Sequence, residues 1–186
     1  NRGSGPLPSI WFERDGSGPA SRLAVIPIAF ERIGPLERQS TLLAAAGLAL
    51  FCAAGIVIGS FVRLAEDLPA TGVQRAAGRL QLATALLWLA AAGAMAVFVS
   101  SVADIANIVY GWPNPSILAA SGAALAATAL TAVGAPLLPA VWRGPPRVER
   151  RGWPRWRKVR YTLAWLSFAA LAAVLALRGA LIPWHY

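Results

Sequence analysis

Few side chains in this chain could carry out chemistry, and they lie far apart in the sequence. Cys52 is the only cysteine and His185 the only histidine, so neither a disulfide nor a His/Cys metal site can be built from them. Glu66 and Asp67 are adjacent, and neighbouring residues on a helix do not face a common point. We interpret them as a solvated loop pair rather than an acid/base dyad. The sequence therefore predicts no catalytic residue, no cofactor site and no metal site.

The remaining polar candidates lie within or beside long apolar segments. Asp104 follows one of these segments, and we interpret it as an interfacial residue that ends a span rather than as a proton carrier. Ser100, Ser101, Thr128 and Thr131 could form hydrogen bonds between helices, a common role of hydroxyl groups in membrane spans. Walker-type glycine loops, H-E-x-x-H and G-x-S-x-G are all missing from the sequence.

Four long uncharged segments contain these polar residues and must position them. They are residues 39–62, 80–103, 116–142 and 161–177. Each has the length at which a helix crosses a hydrocarbon core of roughly 30 Å, and the chain is 57% hydrophobic and 13% charged. We predict an all-α membrane protein with a four-helix transmembrane domain over residues 39–186. The predicted helices are at about 39–63, 80–103, 116–142 and 161–182.

Two sequence features bear on how these helices pack and where the third one ends. Gly55 and Gly59 form a small-xxx-small face on the first helix, which favours close packing within the bundle. Pro136 and Pro139 are expected to kink or end the third helix before Trp142.

Residues 1–38 differ in composition from the rest of the chain. Residues 1–9 are a linker rich in Gly, Pro and Ser. Aromatic and β-branched residues at 10–14 and 21–26 flank a Gly-rich turn, which predicts a β-hairpin. Because a lone hairpin is marginal in water, we interpret it as the remnant of a larger sheet or as lying against the membrane surface. Residues 29–38 are predicted to be an amphipathic lead-in to the first helix.

The positive charge indicates a membrane surface rather than a nucleic acid. The net charge is +9, and eight of the 17 basic residues lie between Arg143 and Arg160. This stretch adjoins apolar segments and includes Trp153 and Trp156, a composition that suits the headgroup layer. We predict contact with the bilayer and with anionic lipid headgroups near Arg143–Arg160, and no binding of nucleic acid.

Basic residues also predict how the chain is oriented. Connections 63–79 and 143–160 together carry 11 of the 17 Lys and Arg residues, so the positive-inside rule places both in the cytoplasm. Both termini are then extracytoplasmic. High Arg and Ala usage is typical of proteins from GC-rich bacteria and is a hint about source only; the bacterial inner membrane is what the family resemblance given below implies. Because an extracytoplasmic N-terminus needs an export signal and none opens this sequence, we expect a further domain before Asn1.

The two ends of the chain resemble a known family. Residues 11–16, 21–23 and 30–33, which lead into the first helix, and residues 160–163 and 182–186 around the last one, are similar to the C-terminal membrane region of bacterial serine hydrolases. These hydrolases are related to class C β-lactamases and penicillin-binding proteins. The resemblance implies a periplasmic catalytic domain in cis, then a small β domain that ends in a hairpin, then a bundle of about four helices.

The catalytic motifs of that family do not occur in this chain. Lys158 is the only lysine, and Arg155 stands where S-x-x-K needs a serine. Tyr110 and Tyr161 are not followed two residues later by asparagine, so Y-x-N is missing too. The resemblance therefore implies a membrane-anchoring C-terminal part of a serine hydrolase, not catalytic by itself. The alternatives are a small free-standing membrane protein, such as a transporter accessory or assembly subunit, and a signalling module that acts through residues 143–160.

Overall fold

The chain consists of two compact units, Asn1–Arg38 and Gln39–Tyr186. A computed structural model describes these residues: 10–13, 22–25, 28–31, 38–62, 70–101, 114–143 and 152–181.

The described part of the first unit is a three-stranded antiparallel sheet in the order β1-β2-β3. Its strands are β1 (Ile10–Glu13), β2 (Arg22–Val25) and β3 (Ile28–Glu31). In the register, Arg22 is opposite both Glu13 and Glu31. The third strand takes up the first residues of the predicted amphipathic lead-in, because isoleucine and phenylalanine favour extended backbone. Residues 32–37 of that lead-in lie outside the described residues.

The second unit is an all-α bundle, and the prediction of four spans is confirmed. Its helices are α1 (Gln39–Val62), α2 (Gly72–Ser101), α3 (Pro115–Gly134), α4 (Leu137–Trp142) and α5 (Arg155–Leu177). Of these five helices in the described part of the unit, four are long and apolar enough to cross a bilayer, and α4 is a short helix that follows α3. The chain is therefore a multi-pass membrane protein.

Two helices begin well before the charge-free segments do. Helix α2 starts at Gly72 rather than near residue 80, and α5 starts at Arg155 rather than near residue 161. The absence of charge marks the depth of the hydrocarbon, whereas a helix ends where its backbone is capped. At α2 the cap is reciprocal: the Gln74 backbone N–H donates to Thr71 Oγ1, and the Thr71 backbone N–H donates to Gln74 Oε1, both at 3.3 Å.

The last helix stops earlier than the predicted residue 182. Gly179 has φ 67°, a left-handed conformation that only glycine adopts without strain. The Ala180 N–H donates to the Leu175 carbonyl oxygen at 3.0 Å, and the Gly179 N–H donates to Ala176 at 3.0 Å. This Schellman arrangement ends α5 at Leu177.

The third span is interrupted at Pro136. Helix α3 begins at Pro115, and Asn114 before it is the N-cap residue. The Asn114 Oδ1 accepts a 2.9 Å hydrogen bond from the Ser116 N–H. It ends at Gly134, and α4 resumes at Leu137. Proline has no N–H and cannot continue the hydrogen-bond ladder. The predicted single helix over 116–142 is thus two helices, with the break at the first of the two prolines.

The core of the bundle is built mainly from alanine. Helix α1 contacts α2 and α5, and α3 contacts the same two helices. The main cluster of buried side chains is Ala49, Ala53, Ala85, Trp88, Ala91, Ala124, Ala127, Phe168, Leu171 and Ala172. Small side chains let helix backbones approach closely, which is how helices associate in lipid. Gly55 does not contribute to the predicted packing face: it is exposed, and a Cβ there would meet nothing within 4 Å. Ala49 and Ala53 are the buried residues of α1.

Candidate functional site

The two basic connections meet at one end of the bundle. The backbone N–H of Trp153, just before α5, donates a 3.0 Å hydrogen bond to the side chain of Gln74, in the first turn of α2. Ala77, Val141, Trp153 and Tyr161 form one buried cluster there, drawn from α2, α4 and the start of α5. We call this part of the bundle the basic end; it comprises residues 70–81, α4 and residues 152–161.

Gln74 is the central polar residue of the basic end. It is 1% exposed, one of the largest fully buried side chains in the described residues. Its Oε1 accepts from the backbone N–H groups of Thr71 and Trp153, at 3.3 and 3.0 Å. One amide oxygen therefore both caps α2 and holds the start of α5 against it.

Trp153 packs against this contact and is only 6% exposed. Its ring lies 5.6 Å from that of Tyr161, centroid to centroid, and the Arg157 guanidinium carbon lies 4.5 Å from the Trp153 centroid. A Cβ on Gly78 would lie 3.5 Å from Cζ2 of the indole, so glycine leaves room for the ring. Nε1 of Trp153 is buried and has no hydrogen-bond partner in the part of the chain that the structure describes.

Trp153 is therefore packed in a protein cluster rather than exposed at the surface, and the predicted headgroup contact of the two tryptophans stays a prediction. Trp156 is 58% exposed, as suits an interfacial residue. Several basic side chains around it are exposed at the same end: Arg75, Arg79, Arg143 and Arg155.

Two further side chains connect helices at this end. Arg160 Nη2 donates a 3.0 Å hydrogen bond to the carbonyl oxygen of Gly55, which joins α5 to α1. Gln81 Nε2 donates to the carbonyl oxygen of Tyr161 at 3.2 Å, which joins α2 to α5.

The four hydroxyl groups that were predicted to bond between helices bond within their own helices instead. Ser100 and Ser101 donate to the carbonyl oxygens three residues earlier, both at 2.7 Å. Thr128 and Thr131 donate to the carbonyls four residues earlier, at 2.8 and 2.7 Å. These hydroxyls therefore satisfy themselves within their own helices. Cys52 is partly buried, with its Sγ 3.7 Å from Ser167 Oγ.

The Cys52–Ser167 contact joins α1 to α5, and a second hydrogen bond between spans lies near the helix break at Pro136. The N–H of Ala135 donates to Ala132 at 3.1 Å, not to Thr131 four residues earlier, because the chain tightens ahead of Pro136. Trp165 Nε1 donates to the carbonyl oxygen of Thr131 at 3.0 Å. A carbonyl left over by the helix break is thus satisfied by an indole from α5.

The structure gives three residues contacts between helices that the sequence did not indicate. Gln74 and Trp165 were not singled out by the sequence, and Trp153 was noted there only as a headgroup residue. Of the three, only Gln74 had a local signal, the T-x-x-Q capping pattern with Thr71. Among the described ranges no group of three His, Cys, Asp or Glu side chains could hold a metal ion. The candidate residues Glu66, Asp67, Asp104, Tyr110 and His185 lie outside those ranges.

Comparison of the chain with known protein families, with curated proteins and with solved structures finds no match. The resemblance to β-lactamase-related serine hydrolases therefore stays a prediction from the sequence.

Proposed function

We propose that this chain is a non-catalytic membrane anchor, a four-span bundle that holds a domain at the membrane surface. The observation that carries this proposal is the composition of the bundle interior. Its main buried cluster is alanine with a few larger apolar residues, and four of the hydroxyls in the spans bond to their own helices. Intramembrane chemistry and transport need ionisable groups that face the bundle interior. A close-packed apolar interior is what a structural anchor needs.

The arrangement of charge supports an orientation for this anchor. The two connections with 11 of the 17 basic residues adjoin the same end of the bundle, where Gln74 meets Trp153. By the positive-inside rule this end is cytoplasmic, in the bacterial inner membrane, and both termini are extracytoplasmic. The exposed arginines of the basic end then lie at the depth of anionic lipid headgroups, with the stretch Arg143–Arg160 as their main contact.

The anchored domain that we propose is a β-lactamase-related serine hydrolase, encoded upstream in the same polypeptide. Support for its identity comes from the sequence resemblance around residues 11–16 and 30–33 alone. In this proposal strands β1–β3 are the last part of an extracytoplasmic β domain. Three strands of four residues each bury little by themselves, which fits a sheet that continues in a larger domain.

Accessibility labelling of engineered cysteines tests the anchor and its orientation. In a Cys52→Ser background, single cysteines are introduced as Ser17→Cys, Gly144→Cys and His185→Cys, and intact spheroplasts are treated with a membrane-impermeant maleimide. We expect labelling at positions 17 and 185, and at position 144 only after the membrane is permeabilised. Labelling of position 144 in intact spheroplasts, with protection of the other two, would reverse the proposed orientation.

The identity of the anchored domain needs a separate test. The coding sequence upstream of Asn1 should contain an export signal and the S-x-x-K and Y-x-N motifs in frame. If those motifs are missing, the hydrolase part of the proposal fails. The small free-standing membrane protein then becomes the better hypothesis, and co-purification with a partner from membranes would support it.

A further inference from the structure

We propose that the basic end holds a defined phospholipid, whose headgroup phosphate accepts a hydrogen bond from Trp153 Nε1 beside Arg157. The inference rests on the proposed placement of this end at the headgroup layer. It goes further than general attraction between arginines and an anionic surface, because it assigns one site with a named donor.

The donor is the first observation. Trp153 is more than nine-tenths buried, and its Nε1 has no hydrogen-bond partner among the described residues. An indole N–H can only donate, and leaving a buried donor without an acceptor is unfavourable. The half-buried Trp165 donates to Thr131, whereas Nε1 of the buried Trp88 also lacks a partner among the described residues. Trp153 differs from Trp88 in having a guanidinium, that of Arg157, beside its ring. An acceptor at Trp153 is therefore missing from the protein groups that the structure describes.

The charge around this donor is the second observation, and it indicates an anionic acceptor. The Arg157 guanidinium carbon lies 4.5 Å from the centroid of the same indole. On the other side Gly78 adjoins the Cζ2 edge of the ring, next to Nε1, and brings no side chain of its own. Arg75, one turn earlier on α2, is exposed. An oxyanion at Nε1 would lie on the ring that the Arg157 guanidinium of α5 contacts.

The depth of the site is the third observation, and it favours a lipid over a soluble ion. The uncharged part of α5 begins at Tyr161, and Arg155 lies about 9 Å further along the helix axis at 1.5 Å per residue. The headgroup layer extends roughly 5–7 Å beyond the hydrocarbon core on each side, and the Trp153 ring lies 5.6 Å from that of Tyr161 at the start of the uncharged segment. Trp153 thus lies where phosphate diesters of the bilayer are concentrated. The site is expected to prefer a headgroup of net negative charge, because a zwitterionic headgroup brings its own cation toward the arginines.

The direct test observes the indole N–H of Trp153 in the intact chain. Protein with ¹⁵N-labelled tryptophan is delipidated in neutral detergent and titrated with phosphatidylglycerol. Trp153→Phe identifies the Trp153 resonance by its loss and keeps an aromatic ring in place. We expect this resonance to move downfield and saturate, while the resonance of the exposed Trp156 stays near its starting position. A Trp153 resonance that phosphatidylglycerol leaves unmoved would overturn the proposal, since it would indicate an acceptor within the protein.

Binding measurements on matched variants provide the second readout. Native mass spectrometry counts retained lipids for the parent chain, Trp153→Phe and the control Trp156→Phe. Loss of one hydrogen bond to a charged acceptor should weaken binding of the first phosphatidylglycerol about tenfold in Trp153→Phe, and Trp156→Phe should bind like the parent. Equal retention by all three would overturn the site.

Titrations with two other ligands distinguish the possible sources of the phosphate. Phosphatidylcholine is expected to move the Trp153 resonance much less than phosphatidylglycerol does, and inorganic phosphate to leave it unmoved. Equal shifts with either lipid would overturn the preference for an anionic headgroup, and an equal shift with inorganic phosphate would overturn the lipid as the ligand. These outcomes are independent of the cysteine labelling, so the site can fail while the anchor and its orientation stand.

Discussion

The middle of the bundle and its basic end are held together in different ways. In the middle, buried alanines such as Ala49, Ala53 and Ala127 let the helices touch through their backbones, and the threonine hydroxyls of α3 bond within that helix. At the basic end, long polar side chains reach from one helix to another: Gln74 to Trp153, and Arg160 to Gly55.

The physical surroundings account for this difference. Lipid tails are as apolar as leucine, so large apolar side chains gain little by leaving lipid for the bundle, and close packing of small residues holds the helices together. At headgroup depth the helices α2 and α5 extend past the hydrocarbon, and specific hydrogen bonds can fix how their ends meet. The Cys52–Ser167 contact and the Trp165 indole are exceptions in the middle. The bond of Trp165 to Thr131 exists because Pro136 disrupts the backbone ladder.

The difference between the two regions is tested most strongly by a substitution at Gln74, where we expect the largest loss of stability. Gln74→Met keeps the length of the side chain but removes the acceptor for the N–H groups of Thr71 and Trp153. Two backbone donors would then lose their acceptor, one at the buried Trp153 and one at the half-buried Thr71. This should lower the free energy of unfolding by roughly 2–5 kcal/mol. Equilibrium unfolding by SDS in mixed micelles measures the change.

Gln81→Met is the matched control for that substitution. It removes one bond, to the carbonyl oxygen of Tyr161, and leaves no donor orphaned. A loss below about 1 kcal/mol is expected. If the two variants unfolded alike, Gln74 would have no special place at the basic end.

Gly134 is the next largest expected effect, at the helix break in the middle. A Cβ there would lie 3.1 Å from Trp165 Nε1 and 3.4 Å from Leu80 Cδ2. Gly134→Ala should therefore push the indole away from Thr131 and destabilise the bundle by about 1–3 kcal/mol. Gly122→Ala on the same helix is the control, because its Cβ would meet nothing within 4 Å. Equal stability of the two alanine variants in SDS unfolding would contradict this packing.

The sequence predicts the spans well and the contacts between them poorly. Segments without charge identify four crossings because burying a charge in hydrocarbon is so costly. The same criterion misplaces the starts of α2 and α5, since arginines such as Arg75 and Arg157 sit within helices beyond the hydrocarbon. Gln74 and Trp153 are 79 residues apart, and no local pattern pairs them. The bond of Trp165 to Thr131 likewise depends on which helices become neighbours.

Trp165→Phe measures how much one hydrogen bond between helices contributes to stability in the middle of the bundle. The Thr131 carbonyl would lose the indole donor and the half-buried ring would become smaller, so we expect a loss of about 1–2 kcal/mol. Trp142→Phe is a suitable control: its Nε1 donates to Thr162 Oγ1 at 3.0 Å, and the residue is 45% exposed. SDS unfolding should show a clearly smaller loss for that variant, and the opposite order would mean that the Thr131 carbonyl finds another donor.

Thr128→Val should have the smallest effect. The Thr128 hydroxyl donates to the carbonyl oxygen of Ala124 in its own helix, and that carbonyl already has a backbone donor in the ladder of α3. Valine has nearly the same shape and tolerates an apolar environment, so the free energy of unfolding should change by less than about 0.5 kcal/mol. A loss above about 1 kcal/mol in the same SDS assay would show that hydroxyls in the middle do connect helices. The contrast between the two regions of the bundle would then disappear, because polar bonds between helices would stabilise both.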